Sequence, residues 1–247
     1  MITLLTVFIP AYNEQENLER CVQAISFALE KSGTPFELLI VNDTSLDQTG
    51  SVAELLVQHD ARVRVVHHSH NLGIGGGFCT AVENARGDWL ILIPADLALD
   101  PTDLHLYLEA ALQADVVVGL RSNRDDYSPF RKLVSWINIH LIQLLFGMKE
   151  RQFQFISMYR VAVLREMQIE YWRSAFFLAE ILIKAKGLGK RLVEVQIRYI
   201  PRRAGQASGV HGMTILYSVH DMFHFWLRWI RLGAEGASRK STLHERT

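Results

Sequence analysis

Short runs of apolar, often β-branched residues alternate along the first half of the chain with longer segments whose apolar positions recur at helical spacing. This alternation predicts parallel strands joined by crossover helices, and therefore an α/β fold. Five runs predict successive strands: LLTVFIP (4–10), FELLIVND (36–43), VRVVHH (63–68), WLILIPAD (89–96) and DVVVGLR (115–121). The segments between them predict helices at 13–31, from Asp47 as N-cap to about Val57, from after the glycine-rich NLGIGGG (71–77) to about 85–88, and at 102–113 after Pro101.

The pattern changes after Arg124. Two long helical candidates flank two shorter strand candidates, in the order SPFRKLVSWINIHLIQLLFGM (128–148), FISMYR (155–160), RLVEVQIRYI (191–200) and GMTILYSVHDMFHFWLRWI (212–230). The final EGASRKSTLHERT has few apolar residues and is expected to be flexible. We therefore predict a main domain over 1–210, an amphipathic helix over 211–232 and a polar tail over 233–247.

Composition argues against several classes of function. The 247 residues are 49% apolar, so the chain can bury a sizeable core. Lys and Arg together number 26, as do Asp and Glu, so net charge gives no reason to expect a nucleic-acid partner. The two cysteines lack the spacing of a disulfide framework or a zinc site, which favours a reducing cytoplasm. The start has no basic region typical of a signal peptide, and no run of about 18 apolar residues predicts a membrane-spanning helix.

Candidate chemistry gathers where the predicted strands end. In an open parallel sheet, ligands bind beyond the carboxyl ends of the strands. Four such ends carry short polar side chains, acids and glycines, namely PAYNE (10–14), NDTS (42–45), HNLGIGGG (70–77) and PADLALD (94–100). This combination suits a nucleotide, whose base, ribose and phosphates need separate partners.

Several ordered motifs resemble a known family. FIPAYNEQENL, VNDTSLDQT, HNLGIGGG, ARGDWLILIPADLALDP and VVVGLRS together are similar to the nucleotide-sugar half of family 2 glycosyltransferases with a GT-A fold. Within that family, the chain is most similar to the dolichyl- or polyprenyl-phosphate sugar (mannosyl) synthases. The resemblance covers roughly residues 5–210, and the shared order of motifs is more specific than any single motif.

The resemblance implies a nucleotide-binding set at the first two strand ends. It places Pro10, Tyr12 and Glu14 around the base and ribose, and Asp43 as an acceptor for a base or ribose donor group. Asn42 stands where many relatives have aspartate. An ordinary strand-ending turn, in which such side chains bond to their own backbone, also explains this segment.

The glycine-rich segment supports a nucleotide-sugar enzyme more than a dinucleotide enzyme. A G-x-G-x-x-G fingerprint fails because Gly73 and Gly75 are followed by Phe78 in the last position. The resemblance assigns Gly73 to the nucleotide site and a flexible backbone to the segment. Ile74 replaces a basic residue that relatives often carry.

The resemblance also implies a divalent cation. Relatives end the fourth strand with Asp-x-Asp, which holds Mg²⁺ or Mn²⁺ against the nucleotide diphosphate. Here Pro94 replaces the first aspartate and Asp96 is the second. One carboxylate plus substrate phosphates can hold such a cation. The alternative is that Asp96 only caps the turn before Pro101, and Asp100 is an N-cap candidate as well.

Arginines supply a second way to neutralise phosphate charge. Arg121 ends the fifth strand in the family's G-x-R pattern, and Arg131 with Ser135 matches R-x-x-x-S on the next helix. Arg202 lies in PRRAGQASG, which resembles a loop that closes over the donor. The resemblance implies that these groups contact the donor diphosphate or the acceptor phosphate, and guanidinium suits phosphate geometry. The alternative is that Arg121 and Arg131 simply cover a solvated helix face.

Two further positions bear on the chemistry. Glu180 matches an acid that relatives carry before their EVPI strand, although an i,i+4 pair with Lys184 explains it equally well. Phe155 replaces a glycine in the segment that shapes the sugar pocket, so the sugar cannot be inferred from the resemblance.

The expected reaction moves a sugar, with inversion, from a nucleotide-diphosphate sugar to an acceptor, which we expect to be a polyprenyl phosphate. That phosphate is already anionic, so no strong general base is needed. The C-terminal helix carries an apolar stripe that suits a membrane interface, namely Met213, Leu216, Phe223, Trp226, Leu227 and Ile230. We therefore expect a cytoplasmic enzyme, peripheral at the inner face of the membrane. The sequence leaves a homo-oligomer open, and packing onto the sheet or a dimer partner also explains the stripe.

Two other classes of function remain as alternatives. A catalytically weakened homologue that binds a nucleotide or a protein would explain Pro94, Ile74, Phe155 and Ala207 together. A nucleotidyltransferase would need a basic loop after the first strand, and PAYNEQEN supplies none.

Overall fold

A computed structural model describes residues 2–122, 128–200 and 212–238 of the protein. Its strands are β1 (Leu5–Ala11), β2 (Phe36–Asn42), β3 (Val63–His67), β4 (Trp89–Leu92), β5 (Val116–Arg121), β6 (Ser157–Arg160) and β7 (Leu192–Ile197). Its α-helices are α1 (Leu18–Ser32), α2 (Thr49–His59), α3 (Gly73–Asn84), α4 (Leu104–Ala110), α5 (Pro129–Phe146), α6 (Val161–Glu166), α7 (Phe177–Gly187) and α8 (Gly212–Ser238). A short 3-10 helix, Pro101–Asp103, precedes α4.

The strands form one mostly parallel sheet in the order β3-β2-β1-β4-β6-β5-β7. Only β6, among the strands of the described residues, runs antiparallel to its neighbours β4 and β5. The α/β prediction is therefore confirmed. Because the other strands share one direction, their carboxyl ends and the start of β6 meet at the same side of the sheet, which we call the carboxyl edge.

Both faces of the sheet are covered, which explains why the strands are nearly continuous apolar runs. One face packs against α1, α2 and α4 through residues such as Val7, Ile9 and Ile40. The opposite face, with Phe8 and Val41, packs against α3, α5, α6, α7 and α8. Successive strand residues alternate between these two cores, as the β-pleat requires.

Two helix starts differ from the sequence prediction. α1 begins at Leu18 rather than Asn13, because Asn13 has a left-handed φ of 55° that no helix accepts. α2 begins at Thr49 with Gln48, rather than the predicted Asp47, at its N-cap position. The Asp47 carboxylate accepts hydrogen bonds from the Thr49 backbone N–H at 2.9 Å and from the Thr49 hydroxyl, so it still contacts the first turn.

The C-terminal helix α8 packs on the sheet domain with one side only. Met222 and Phe225 are buried, and Phe225 stacks on Phe146 of α5 with ring centroids 5.5 Å apart. The helix is interrupted at Gly233 and continues to Ser238, beyond the predicted end at 232, with Ala237 buried. None of the helices within the described ranges combines the length and apolar character needed to cross a bilayer.

Candidate active site

Strained backbone marks the carboxyl edge. Among the residues that the structure describes, three non-glycine residues have left-handed φ angles: Asn13 at 55°, Thr44 at 61° and Leu97 at 55°. They follow β1, β2 and β4, which are adjacent strands. A left-handed φ costs conformational energy in residues that have a Cβ. Such residues are concentrated at functional sites, where the surrounding structure holds them in place. The carboxyl edge, where the sequence predicts the ligand site, is therefore also where the backbone of the described residues is locally strained.

The loops after β1 and β2 hold each other. The Asn13 amide accepts from the Leu46 backbone N–H at 2.8 Å, and the Asn13 N–H donates to the Ser45 hydroxyl at 3.0 Å. The aromatic ring of Tyr12, the residue before Asn13, is 46% exposed. An exposed ring at a strand end can stack on a base. Pro10 lies half-buried in β1, paired in register with Val41.

Glu14 faces the start of α1. Its carboxylate accepts from the Asn17 side-chain amide at 2.7 Å, and its backbone N–H donates to the Thr49 hydroxyl at 2.8 Å. Thr49 is fully buried, so this contact ties the loop after β1 to the first turn of α2. The structure thus brings Glu14 to the same edge as Tyr12, half-buried.

Asp43 organises the start of α3. Its carboxylate accepts hydrogen bonds from the backbone N–H groups of Leu72 at 2.8 Å and Gly73 at 2.7 Å, and contacts His68 Nδ1 at 2.7 Å. A carboxylate at a helix N-terminus is favoured by the helix dipole. Asp43 therefore fixes the glycine-rich segment against the end of β2, so its bonds reach across the fold rather than staying in its own turn.

Asn42 is buried and shapes the turn after β2. Its side-chain oxygen accepts from the Ser45 N–H at 3.2 Å, and its amide nitrogen contacts His67 Nδ1 at 2.9 Å. Here the strand-ending turn that the sequence left open is present. The amide also lies against Gly50, where an added Cβ would come within 3.1 Å of it.

The glycine-rich segment is helical, and its expected flexibility is wrong. Gly73 begins α3 with a left-handed φ of 71°, and Gly75, Gly76 and Gly77 are buried inside the helix. A Cβ on Gly75 would overlap the backbone carbonyl of Trp172. These glycines therefore permit close packing of α3 against the loop before α7, rather than backbone mobility.

Asp96 lies on the turn that follows β4, where the Pro94 carbonyl accepts from the Leu97 N–H at 2.9 Å. Burial, and after it the charge of Asp96, raises the pKa of the Cys21 thiol. The cap before Pro101 is made by Asp100, whose carboxylate accepts from the Thr102 N–H at 3.0 Å. The N-cap role that the sequence offered for Asp100 is therefore present.

Arg121 ends β5 beside a cavity of about 380 Å³, lined by Leu120, Arg121, Ser122, Arg151, Gln152 and Gln196. Its backbone N–H donates to the Gln152 side-chain oxygen at 2.9 Å, and its guanidinium carbon lies 3.3 Å from the centre of the Tyr199 ring. The residue is 9% exposed. Since one strand separates β4 from β5, these two strands lie about 10 Å apart in the sheet.

Arg131 and Ser135 lie one turn apart at the start of α5. Ser128 is the N-cap of this helix, and its hydroxyl accepts from the Arg131 N–H at 3.2 Å. Arg131 is exposed and Ser135 is half-buried. Arg202 and the rest of its loop lie outside the described residues.

Sequence reasoning missed the end of β7. Arg198 and Tyr199 follow this strand at the carboxyl edge and contact Asp103 and Arg121, respectively. The signal in the sequence is the predicted strand at 191–200, whose end belongs to the same edge as the ends of the other predicted parallel strands.

Comparison with known proteins decides the family. The model of Glycosyl transferase family 2 matches residues 6–182. The chain belongs to this family. An undecaprenyl-phosphate 4-deoxy-4-formamido-L-arabinose transferase from Edwardsiella ictaluri is 29% identical over 209 residues, which are 83% of this chain and 63% of that protein. An undecaprenyl-phosphate mannosyltransferase from Micrococcus luteus is 30% identical over 215 residues, which are 83% of this chain and 86% of that protein. The family 2 chain thus spans less than two thirds of the first relative.

Solved structures confirm the expected GT-A fold. Mannosyl-3-phosphoglycerate synthase from Rubrobacter xylanophilus superposes with a TM-score of 0.72 at 16% identity, covering 94% of this chain and 76% of that one. Glucosyl-3-phosphoglycerate synthase from Mycobacterium tuberculosis, in complex with Mn²⁺, UDP and phosphoglyceric acid, gives a TM-score of 0.64 at 15% identity, covering 97% and 80%. At such identities the likeness shows the fold alone.

Proposed function

We propose that this glycosyltransferase moves a sugar, with inversion, from a nucleotide-diphosphate sugar to a polyprenyl phosphate. The observation that carries the proposal is the 30% identity to an undecaprenyl-phosphate mannosyltransferase over 86% of that relative. The carboxyl edge supports it with an exposed aromatic ring, carboxylates and a buried arginine. The sugar and the nucleotide stay open, because the segment around Phe155 departs from the family pattern.

The nucleoside end of the donor would bind at β1 and β2. Tyr12 offers a ring for the base, and Glu14 offers a carboxylate for base or ribose donors, with Pro10 at the strand end. Asn42 and Asp43 hold the surrounding backbone, so their contribution is mainly to fix the shape of the site. Gly73 would lie beside the donor because Asp43 binds its N–H group.

The diphosphate end would lie between Asp96 and Arg121. A glucosyl-3-phosphoglycerate synthase with this fold was solved with Mn²⁺ and UDP. No three His, Cys, Asp or Glu side chains converge on a metal site within the part of the chain that the structure describes. The carboxylate of Asp96 is a hard ligand, and Mg²⁺ or Mn²⁺ can take its remaining ligands from water and the donor phosphates. Asp96 would therefore supply a single protein ligand to such a cation, which when bound would neutralise charge on the departing diphosphate.

The transfer step needs no proton acceptor on the protein. An oxygen of the acceptor phosphate attacks the anomeric carbon, and the bond from that carbon to the diphosphate oxygen breaks. The nucleoside diphosphate leaves with the bonding electron pair. Arg121 would stabilise the charge that develops on the leaving group. Arg131 and Ser135 would orient the acceptor phosphate, and Arg202 belongs to the same proposed set.

A lipid acceptor also requires contact with a membrane. Helices α5 and α8 each expose large apolar side chains at helical spacing, namely Phe130, Leu133, Ile137 and Leu144 on α5 and Leu216, Phe223, Leu227 and Ile230 on α8. Exposed arginines accompany them, and this combination favours an anionic bilayer surface. We propose that the enzyme docks peripherally through these two faces.

Donor binding tests the enzymatic proposal. Calorimetric titration of UDP- and GDP-sugars, with and without Mn²⁺, should find one donor whose binding depends on the cation. Asp96→Ala should abolish that dependence, whereas Glu109→Gln, an exposed carboxylate on α4, should not. Donor binding without transfer to a polyprenyl phosphate would support the weakened homologue instead. No binding of any donor would refute the proposal.

Vesicle sedimentation tests the membrane contact. The protein should sediment with phosphatidylglycerol vesicles, and Leu227→Ser with Ile230→Ser should weaken binding at least several-fold. Leu112→Ser removes a side chain that is 70% exposed but lies outside both helices, so it should have no effect. Equal loss in all variants, or no sedimentation of the unchanged protein, would contradict docking.

A further inference from the structure

The segment 198–200, which follows β7, crosses the carboxyl edge between the two phosphate-binding candidates. The Arg198 carbonyl accepts from the Asp100 N–H at 3.1 Å, and the Ile200 N–H donates to the Ala98 carbonyl at 3.4 Å. On the other side, the Ser122 N–H donates to the Ile197 carbonyl at 2.9 Å. The segment therefore bridges the loop after β4, which carries Asp96, and the end of β5, which carries Arg121.

Arg198 fastens the segment to the loop after β4. Its backbone N–H donates to Asp103 at 2.8 Å, and its guanidinium binds the same carboxylate at 2.6 Å. A further contact joins it to Asp100 at 3.0 Å. Asp103 is 5% exposed, so this attachment point belongs to the interior of the domain. A forked guanidinium held by two carboxylates has little freedom to move.

The side chain of Tyr199 points to the opposite side of the segment from that of Arg198, as expected for neighbouring residues in an extended chain. The guanidinium carbon of Arg121 lies 3.3 Å from the centre of its ring. A guanidinium standing upright on the ring would bring a nitrogen to about 2 Å from the ring centre, given its C–N bond length, which overlap forbids. The two planes are therefore stacked. Stacking engages the flat face of the cation, so its N–H groups point along the plane of the ring rather than into it.

We propose that Tyr199 is a positioning residue that holds the guanidinium of Arg121 in the orientation that receives a phosphate group at the carboxyl edge. Arg198 fixes Tyr199 relative to the loop of Asp96, so both sides of the diphosphate site keep a constant separation. The inference rests on the proposed function for its substrate, but the stacking and the anion contact can be tested without sugar transfer.

The first measurement detects the stacking itself. The aromatic ring should shift the Arg121 Nε–Hε resonance upfield, and Arg121→Lys identifies that resonance by removing it. Tyr199→Leu should move it back to the range of ordinary arginines, whereas Tyr199→Phe keeps the ring and should leave it in place. Thermal unfolding of both variants checks that the fold is retained. An unchanged resonance in Tyr199→Leu would overturn the inference.

The second measurement detects the consequence for phosphate binding. Inorganic pyrophosphate serves as the probe, because it presents the anionic groups without sugar or lipid. Tyr199→Leu should weaken its binding by about five- to tenfold, and Tyr199→Phe by less than about twofold. The same ratios are expected for kcat/KM of transfer.

The outcomes separate the two proposals. Unchanged pyrophosphate affinity and turnover in Tyr199→Leu, despite a shifted Arg121 resonance, would remove the positioning role. Equal losses of pyrophosphate affinity in Tyr199→Phe and Tyr199→Leu would assign the effect to the tyrosine hydroxyl and would also overturn the inference. If the unchanged protein transferred no sugar, the proposed function would fail, while the resonance and pyrophosphate measurements would still decide on Tyr199.

Discussion

Glu37 is a buried carboxylate on β2 that joins three parts of the fold. It accepts hydrogen bonds from the Thr6 hydroxyl at 2.7 Å, the Arg64 guanidinium at 2.8 Å and the Arg86 backbone N–H at 2.8 Å. Burial alone would raise the pKa of Glu37, but these bonds and the charge of Arg64 outweigh it and lower the pKa below its usual 4.5. The ionised form is thus part of the folded structure.

The pH dependence of stability follows from that shift. A carboxyl group whose pKa is lowered on folding stabilises the protein above its unfolded pKa, and this contribution is lost as pH falls through the folded pKa. Glu37→Gln should therefore cost about 1–3 kcal/mol at pH 7, and the difference from the unchanged protein should shrink below about pH 4. Urea unfolding across pH measures it, with Glu109→Gln as the exposed control. A difference independent of pH would contradict the assignment.

Asp43 shows how far sequence could specify a site residue. Its place at the end of β2 predicted a polar group at the carboxyl edge, and the structure has it there. Its partners Leu72 and Gly73 lie 29 and 30 residues later in the chain, so no local pattern could identify them. The role of such a side chain is decided by which loop the fold brings opposite to it.

At the scale of elements, α3 depends on close approach to the loop before α7. Gly75→Ala should destabilise the protein by about 1–3 kcal/mol, because the new methyl group overlaps the Trp172 carbonyl. Gly236→Ala, in α8, meets only an ordinary contact at 3.5 Å, and should be neutral or stabilising by up to about 1 kcal/mol through helix propensity. Chemical denaturation of both variants measures the contrast. Equal effects would mean that the packing contact has no energetic weight.

A buried ion network joins α7 to the loop before it and to α8. The Lys184 ammonium donates to Glu180 at 2.7 Å, to Glu170 at 2.8 Å and to the Gln168 carbonyl at 2.6 Å. Glu170 also pairs with Arg228 of α8. Burial raises the pKa of Glu180 although Lys184 opposes it. The i,i+4 pair that the sequence offered as an alternative for Glu180 is therefore present, and it is fully buried.

Removing one of the two charges of the Glu180–Lys184 pair should show how much free energy the burial of the other charge costs. Lys184→Met leaves the Glu180 charge uncompensated and should lower the free energy of unfolding by about 3–5 kcal/mol. Glu180→Gln combined with Lys184→Met removes both charges and should recover part of the loss. A double-mutant cycle by urea unfolding measures the coupling. Strictly additive losses would show that the two side chains do not stabilise the fold as a pair.

Element types were predictable, whereas their orientation and boundaries were less so. Alternating apolar runs located all seven strands of the described chain, because burial on both faces demands such runs. Nothing local could show that β6 runs antiparallel, since direction depends on the path of the preceding chain. The glycines of α3 predicted flexibility because the sequence does not reveal Trp172 packing against them.

At the scale of the whole molecule, α8 has apolar residues on two sides with different surroundings. Phe225 is fully buried among Phe146, Phe176 and Trp229, whereas Leu227 is 62% exposed. Trp226, which the sequence placed on the exposed stripe, is only partly buried against the core. Helical periodicity identifies an apolar face but cannot distinguish a face buried in the protein from one left for a bilayer. The packing of α8 in the structure makes that distinction, because it buries Phe225 and leaves Leu227 exposed.

The division of the chain into a domain and a separate C-terminal helix stays a prediction, and two substitutions on α8 test it. If α8 belongs to the cooperative core, Phe225→Ala should lower the global free energy of unfolding by about 3–5 kcal/mol and weaken hydrogen-exchange protection in β1 as well as in α8. Leu227→Ala should change stability by less than about 0.5 kcal/mol while reducing vesicle binding. Loss of protection confined to α8 in the Phe225→Ala variant would instead identify the helix as an appendage that unfolds on its own, and membrane docking would then involve a unit energetically separate from the donor site.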